Sequence, residues 1–426
     1  MNKQGVAVFF SLMSDEFKAD PYGTFRTLRR EAPVCPTRGV ANFVVTRYDD
    51  VRQILVNHRL FSSSAWAFPH WAVPGVEEYF QSGGMVEQDP PIHTRLRRIV
   101  APVFTPAHLQ TYLPLITEVV EELVADLRRQ ERFDFVGGFS FPLPMAVISR
   151  MLDIPRDRRE DFKRWSDAVF EMASVGYLPD GIRQRKQKEI LQAAREFKEY
   201  FLPLIAERRE NPGDDLLSRI VHARVDGDYL NDDEIFSFAR TLLSAGNETT
   251  QNMLGNAILI LGQRPELVEE LYADPGLLDG FIDEALRYEG PVWGAPRRAL
   301  ADTEIAGVAI PKGTRLWAAT ASANHDESVF ERPEEFDIRR DNRKSMAFGA
   351  GVHTCLGGDL ALMELRVGLR AMLPLLRETD MREYRYLNST LSRGPGFVMM
   401  QHKSRQPAAG NASDQAAPPE VPPASL

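Results

Sequence analysis

Cysteine is scarce in this chain: there are two in 426 residues, Cys35 and Cys355. That excludes a disulfide framework and any metal site built from several thiols, and it fits a reducing, cytoplasmic setting. Neither a CxxC pair nor an HExxH stretch occurs, so a zinc centre has no recognisable ligand set. No apolar run reaches the length of a membrane span. Val6 to Met13 is apolar but short, with only Lys3 before it and no cleavage site after it, so no signal peptide is expected. Acidic residues outnumber basic ones, 60 to 51, and the net charge of −9 argues against nonspecific nucleic-acid binding. No internal repeat is evident. What remains is an ordinary globular composition in a chain long enough to bury a large core.

Helical periodicity dominates from about Thr105 to Tyr288. Strand-like pieces lie near Phe43–Thr46 and Thr314–Ala319. The Pro- and Gly-punctuated stretch from Gly290 to Gly313, with its alternating Glu304 to Ile310 segment, reads as a turn-rich β region. Residues 1–403 read as one domain. Ser404 to Leu426 is rich in Pro and Ala, has no aromatic residue and reads as a disordered tail.

The most informative residue is Cys355, inside Phe348-Gly349-Ala350-Gly351-Val352-His353-Thr354-Cys355-Leu356-Gly357. A lone cysteine is most often a small buried hydrophobe. This one sits among glycines that let backbone N–H groups approach a sulfur, ahead of Leu356, Leu360, Met363 and Val367 at helical spacing. A single thiolate at a helix N-terminus suits the axial ligand of a haem iron. A dinucleotide fingerprint fits less well, since the third glycine is out of register and no strong strand precedes.

Asn231 followed by Glu234 opens a long apolar-periodic run reaching about Gly262. Ala239, Leu242, Gly246, Thr249 and Met253 share one face of it, and Gly246 is expected to leave room for a flat ligand or a diatomic. Thr249 can equally bond its own backbone, as helical threonines do. Further on, Glu284 and Arg287 stand three apart on one face of a helix that ends at Gly290-Pro291. Upstream, Asp89-Pro90-Pro91-Ile92-His93-Thr94-Arg95-Leu96-Arg97 starts a helix with His93 and Arg97 on one face.

These strings together resemble the soluble bacterial members of the cytochrome P-450 family, from Asp20-Pro21-Tyr22 to about His402. The cysteine loop matches FxxGxxxCxG, Ala245-Gly246-Asn247-Glu248-Thr249 the oxygen-activation motif, Glu284-Ala285-Leu286-Arg287 the ExxR pair, and Asp89 to Arg97 the DPPxHxxxR segment. The resemblance implies a mainly α, prism-like fold with a small β-rich part and a long central helix over one haem b. It implies Cys355 as the iron ligand, Phe348, Gly349 and Gly246 against the cofactor, and His93, Arg97, Arg297 and His353 at the propionates. Thr249 is then the hydroxyl and Glu248 the carboxylate of a proton relay for O2 cleavage, and Glu284 with Arg287 holds the cysteine loop. Trp66, Phe68, Met85, Leu243, Ala245, Val292, Trp293 and Ala295 are expected to line the substrate pocket.

The implied activity is insertion of one atom of O2 into an apolar small molecule, by hydroxylation or epoxidation. The substrate class is a bacterial secondary metabolite such as a polyketide or terpenoid, and the electrons come from a ferredoxin- or flavodoxin-type donor with its reductase. The alternatives are a non-catalytic haem sensor or carrier and a peroxide-driven haem-thiolate enzyme. Three positions depart from the usual pattern: Glu335 where an Arg often joins the ExxR pair, with Arg340 as a substitute, His325 for a frequent Arg, and Leu362 for an Arg after the cysteine.

Overall fold

The computed structural model describes residues 11, 14–37, 41–64, 73–79, 84–172, 175–178, 180–387, 389 and 391–403. The expected tail from residue 404 onward lies outside the described residues. The long helix begins where its sequence cap indicates. Asn231 accepts from the Glu234 N–H at 2.9 Å and Glu234 accepts from the Asn231 N–H at 3.0 Å, and the helix then runs over Asp232–Gln263. Its apolar residues are buried in the large core, which draws on helices Leu113–Arg128, Pro142–Met151, Asp180–Glu210 and Gly358–Arg377. None of the described helices is long and apolar enough to cross a membrane.

The β part is small and formed from distant segments. Strands β1 (Val34–Pro36), β2 (Phe43–Val45), β3 (Phe61–Ser62), β4 (Arg132–Asp134), β5 (Ala295–Ala299), β6 (Thr303–Ile305), β7 (Val308–Ile310), β8 (Arg315–Ala318), β9 (Thr379–Tyr386) and β10 (Pro395–His402) make three sheets. The largest has the order β1-β2-β8-β5-β3, with β2 and β8 parallel. A second has the order β4-β10-β9. The alternating Glu304 to Ile310 segment is the β6-β7 hairpin, turned by Ala306 and Gly307, both at positive φ (49° and 79°).

One network positions the cysteine loop. Glu284 and Arg287, on helix Leu278–Tyr288, have no exposed side-chain surface and pair bidentately at 2.7 and 2.8 Å. Arg287 also donates to the carbonyl of Asn324 at 2.9 Å, and the Asn324 side chain accepts from the Met346 N–H at 2.7 Å. Met346 then anchors the turn into the loop through its carbonyl and the Gly349 N–H, 2.9 Å. The position vacated by arginine at Glu335 is filled as expected: Arg340 reaches Glu284 at 3.1 Å, while the Glu335 side chain pairs outward with Arg332. Asn342 and the Asp337 N–H complete the shell around Glu284.

The other two departures are apolar solutions. Leu362 packs against the large core. His325 is buried, donates from Nδ1 to the Ala321 carbonyl (3.1 Å), and its ring lies 4.3 Å from that of Tyr22. Burial, with Arg287 nearby, pushes its pKa down to about 3.

Two outcomes follow. In Glu284→Ala the guanidinium of Arg287 loses its buried partner, a loss worth about 3–5 kcal/mol, read as a lowered denaturation midpoint. The unfolded chain protonates His325 near its ordinary value while the folded chain does not until about pH 3. Stability therefore falls as pH drops below about 6.5, by roughly 1.4 kcal/mol per pH unit from this group. His325→Leu should flatten that part of the acid limb in denaturant titrations at pH 7, 6 and 5; an unchanged slope would assign the acid sensitivity elsewhere.

Candidate active site

The cysteine loop is folded by its own backbone. The Cys355 N–H bonds the Phe348 carbonyl at 2.9 Å, closing the loop, and Gly351 sits at φ 75°. A Cβ at Gly351 would stand 2.8 Å from the Leu55 carbonyl oxygen, so only glycine fits this turn against the neighbouring helix Tyr48–Val56. Phe348 lies flat enough against Gly358 to place its ring 3.5 Å from a Cβ there. Cys355 is exposed and unbonded to the other cysteine, just ahead of helix Gly358–Arg377. Burial by the surrounding walls raises its pKa, while the Gly357 and Gly358 N–H groups and Arg97 act in the opposite direction. Once a cation meets the sulfur, the remaining donors favour thiolate.

Beside the loop, His93, Arg97, Arg297 and His353 converge, with Asp89 the one carboxylate whose charge acts on the three buried ones among the described residues. His93 is buried and neither ring nitrogen has a partner; Nε2 of His353 is also buried and unpartnered, and the two rings are 4.2 Å apart. Arg297 is buried and donates only to its neighbour's carbonyl, at Pro296 (2.7 Å), among the described residues. Arg97 donates to the Thr354 carbonyl at 2.7 Å. Burial pushes Arg297 down to about 10. Burial, with Arg297 and His93 adding, pushes His353 down to about 3, and burial with Arg97 lowers His93. The nearby carboxylate, Asp89, is engaged elsewhere, by the hydroxyls of Ser62 and Ser64 and the Ser63 N–H. Orphaned donors and mutually depressed cations beside a lone thiol are what a group bearing carboxylates and a metal requires. The residues fit haem.

The central helix presents a distinct accessible stripe. In its middle part, Thr241, Leu242, Ser244, Gly246, Glu248, Thr249 and Gln251 are partly exposed and Ala245 is exposed, whereas Leu243, Asn247 and Thr250 are buried. Thr249 donates to the Ala245 carbonyl at 2.7 Å. No cation among the described residues acts on Glu248; burial raises it to about 7, partly offset by a 2.5 Å bond from the Ser392 hydroxyl and by the Asn252 side chain.

Gly246 departs from its expected role. A Cβ there would lie 2.6 Å from Cδ1 of Ile148, so the missing side chain lets helix Pro142–Met151 approach, and the room for a ligand lies at Ala245. Several expected pocket residues are also placed otherwise. Leu243 is 1% exposed and its carbonyl accepts from Ser166, so it faces the neighbouring helix. Trp293 is 2% exposed, packed with Phe17 and Phe25, because extended backbone sends alternate residues to opposite sides. Met85 is buried in the large core. Val292 and Ala295 are half-buried, on the side of Ser392 and on β5 respectively. Trp66 and Phe68 lie outside the described residues. Ser392, Ser389 and Asn324 were invisible in the sequence, since their partners are far away along the chain.

A cytochrome P450 family model matches residues 30–275 and 276–398. The chain is 36% identical over 373 residues to 6-deoxyerythronolide B hydroxylase of Saccharopolyspora erythraea, covering 85% of this chain and 90% of that one. It is 37% identical to the cytochrome P450 monooxygenase PikC of Streptomyces venezuelae, with 85% of each chain covered. The solved structure of cytochrome P450 CYP109Q5 from Chondromyces apiculatus superposes with a TM-score of 0.84 at 33% identity, over 93% of this chain and 99% of that one. The helix-rich architecture with small sheets, foreseen from the motifs, is that of these enzymes. The chain belongs to the cytochrome P450 family, and it is a haem-dependent monooxygenase.

Proposed function

We propose that Cys355 ligates the iron of haem b and that the enzyme oxygenates a secondary metabolite of polyketide type. Haem, once bound, supplies the centre at which dioxygen is reduced and cleaved. The chain's own residues do the rest. His93, Arg97, Arg297 and His353 take the two propionates as charge-assisted partners, which relieves the repulsion among them. The Gly357 and Gly358 N–H groups hold negative charge on the sulfur. Ala245 leaves room on the opposite face, and the Thr249 hydroxyl beside it can exchange its bond to the Ala245 carbonyl for one to an incoming acceptor. Glu248, close to half-protonated near neutrality, restores the proton that Thr249 gives up. An intact acid and hydroxyl in register favours O2 over peroxide as the oxidant and turnover over mere haem carriage.

The single observation that carries the reading is the lone exposed thiol beside buried Arg297 and the unpartnered ring nitrogens of buried His93 and His353. The substrate class rests on the accessible stripe, whose Thr241 and Ser244 hydroxyls suit an oxygenated carbon skeleton better than a plain hydrocarbon. Similarity to a 6-deoxyerythronolide B hydroxylase and to a polyketide-biosynthesis cytochrome P450 of Bacillus subtilis supports it. Electrons come singly from a ferredoxin- or flavodoxin-type protein in the cytoplasm, since neither cysteine lies in an iron–sulfur spacing.

The test is the absorption spectrum of the haem-loaded protein, reduced with dithionite under carbon monoxide. The strongly red-shifted Soret band of thiolate ligation is expected, and Cys355→Ser should lose it; a wild-type band at the position of imidazole ligation would overturn the assignment. Arg297→Ala combined with His353→Ala should lower haem retention by about tenfold or more, the loss of one charged hydrogen bond being about 1.5–3 kcal/mol. Macrolactones should displace the ferric Soret band at lower concentration than fatty acids of similar size.

A further inference from the structure

We propose that Ser392, with Ser389 behind it, is the group that positions Glu248 and returns protons to it during turnover. This rests on the reading of Glu248 as the distal acid. Ser392 is 3% exposed and lies in the loop between β9 and β10, far from Glu248 in sequence. Its hydroxyl lies 2.5 Å from Oε1 of Glu248 and 2.9 Å from the hydroxyl of Ser389. Ser389 is half-buried and accepts from the N–H groups of Leu391 and Ser392 at 3.3 and 3.2 Å, which fixes its oxygen toward the chain.

The contact is built into the fold. Glu248, Asn252, Gly255 and Asn256 form one stripe of the central helix, and the loop lies along it. A Cβ at Gly394 would stand 2.3 Å from Oδ1 of Asn252, and one at Gly255 would stand 2.5 Å from Cγ of Pro395. Asn256 donates to the carbonyls of Arg393 and Glu289 at 2.9 and 2.8 Å. Arg393 pairs with buried Glu289 at 2.7 Å and lies over the Tyr386 ring at 3.5 Å. Backbone bonds from Trp293 to Leu391 and from Arg393 to Pro291 bracket Ser392 on both sides. Such a grip leaves its hydroxyl little choice of partner.

The groups facing Glu248 are few. Its own helix offers Asn252, the loop offers Ser392, and helix Arg159–Glu171 offers Asp167, whose charge raises the acid's pKa and is itself paired with Lys163 at 2.7 Å. The nearby cation Arg393 is spent on Glu289. Among the described residues no basic side chain acts on the acid, and the Ser392 hydroxyl is the donor that ties it to the loop.

The chain of bonds conserves protons. The structure has Ser392 as donor to both oxygens; with Glu248 ionised, Ser392 gives its proton to the Glu248 bond and the relay requires the Ser389 hydroxyl to turn and donate to Ser392. A proton from water taken at Ser389 moves one proton to Ser392 and one to Glu248. Glu248 then donates to Ser392 and Ser392 to Ser389, ready for reset once Thr249 has been served.

The test uses haem-loaded, full-length protein and two readouts. In the ferric resting enzyme the infrared carbonyl band of the protonated acid, assigned by its loss in Glu248→Gln, is titrated against pH. Wild type should half-titrate near 7, and Ser392→Ala should move that point up by about one unit, the worth of one hydrogen bond to a carboxylate. Ser392→Thr, which keeps the hydroxyl, should restore it. With a surrogate ferredoxin and its reductase, Ser392→Ala and Ser389→Ala should both send a several-fold larger share of electrons to hydrogen peroxide, Ser389→Ala without moving the infrared half-point. An unmoved half-point in Ser392→Ala together with an unchanged peroxide share overturns the relay. The ferrous carbon monoxide spectrum is recorded for every variant: loss of the thiolate band in wild type sinks the underlying reading, whereas its retention isolates the relay as the part that failed.

Discussion

The fold depends on one buried ion pair that cannot be solvated. Glu284 and Arg287 carry full charges with no exposed side-chain surface, an arrangement that costs several kcal/mol per ion unless every lone pair and proton is matched. Here they are matched: by Arg340 and Asn342, by the N–H of Asp337, and by the carbonyls of Asn324 and Pro333. Because those partners all come from the one stretch between Asn324 and Asn342, satisfying the pair pins that stretch, which leads into the cysteine loop, against helix Leu278–Tyr288. The cysteine loop is the downstream beneficiary, reached through Asn324 and Met346. A pair of charges that contributes little net stability thus determines where one thiol stands.

The cationic cluster inverts that logic. His93, His353 and Arg297 are buried with no carboxylate in ion-pair contact among the described residues; the charge of Asp89 only partly offsets burial, and each is pushed toward its neutral form. Held so, they weaken the protein-only state and strengthen whatever carries the missing carboxylates. The two networks reach the same loop at different points, the saturated one through Met346 and the open one through His353 and Thr354. That contrast separates scaffold from site more cleanly than any residue type does.

The two kinds of information reached the sequence unequally. The central helix was legible to within a residue because its capping box is local and its periodicity spans thirty-two residues. The hairpin of β6 and β7 was legible because its alternation and its Ala-Gly turn are contiguous. Motifs singled out Cys355, Glu248, Thr249 and the ExxR pair, and of these the Glu284–Arg287 pair is formed in the structure. Orientation was not legible. Leu243 and Gly246 were placed on the ligand side although a straight helix rotates them toward helices that the sequence cannot position. Trp293 was assigned by proximity to Val292, yet adjacent residues of an extended segment face opposite ways. Ser392 carried no signal at all, because a serine in a loop is unremarkable until a carboxylate from another element is set against it.

The seating of the β9-β10 loop bears on how such enzymes are re-engineered. Its outgoing limb, from Leu391 to Pro395, interlocks with the central helix at backbone clearance, glycine against asparagine and proline against glycine. Among the described residues, its incoming limb shows no such fit to the central helix at Leu387 or Ser389. Changes in loop length or grafts from related enzymes therefore have one tolerant seam and one intolerant seam. A transplant cut before Leu391 keeps the recipient's own register against the helix, whereas one cut after it carries a foreign spacing into a joint that has no slack.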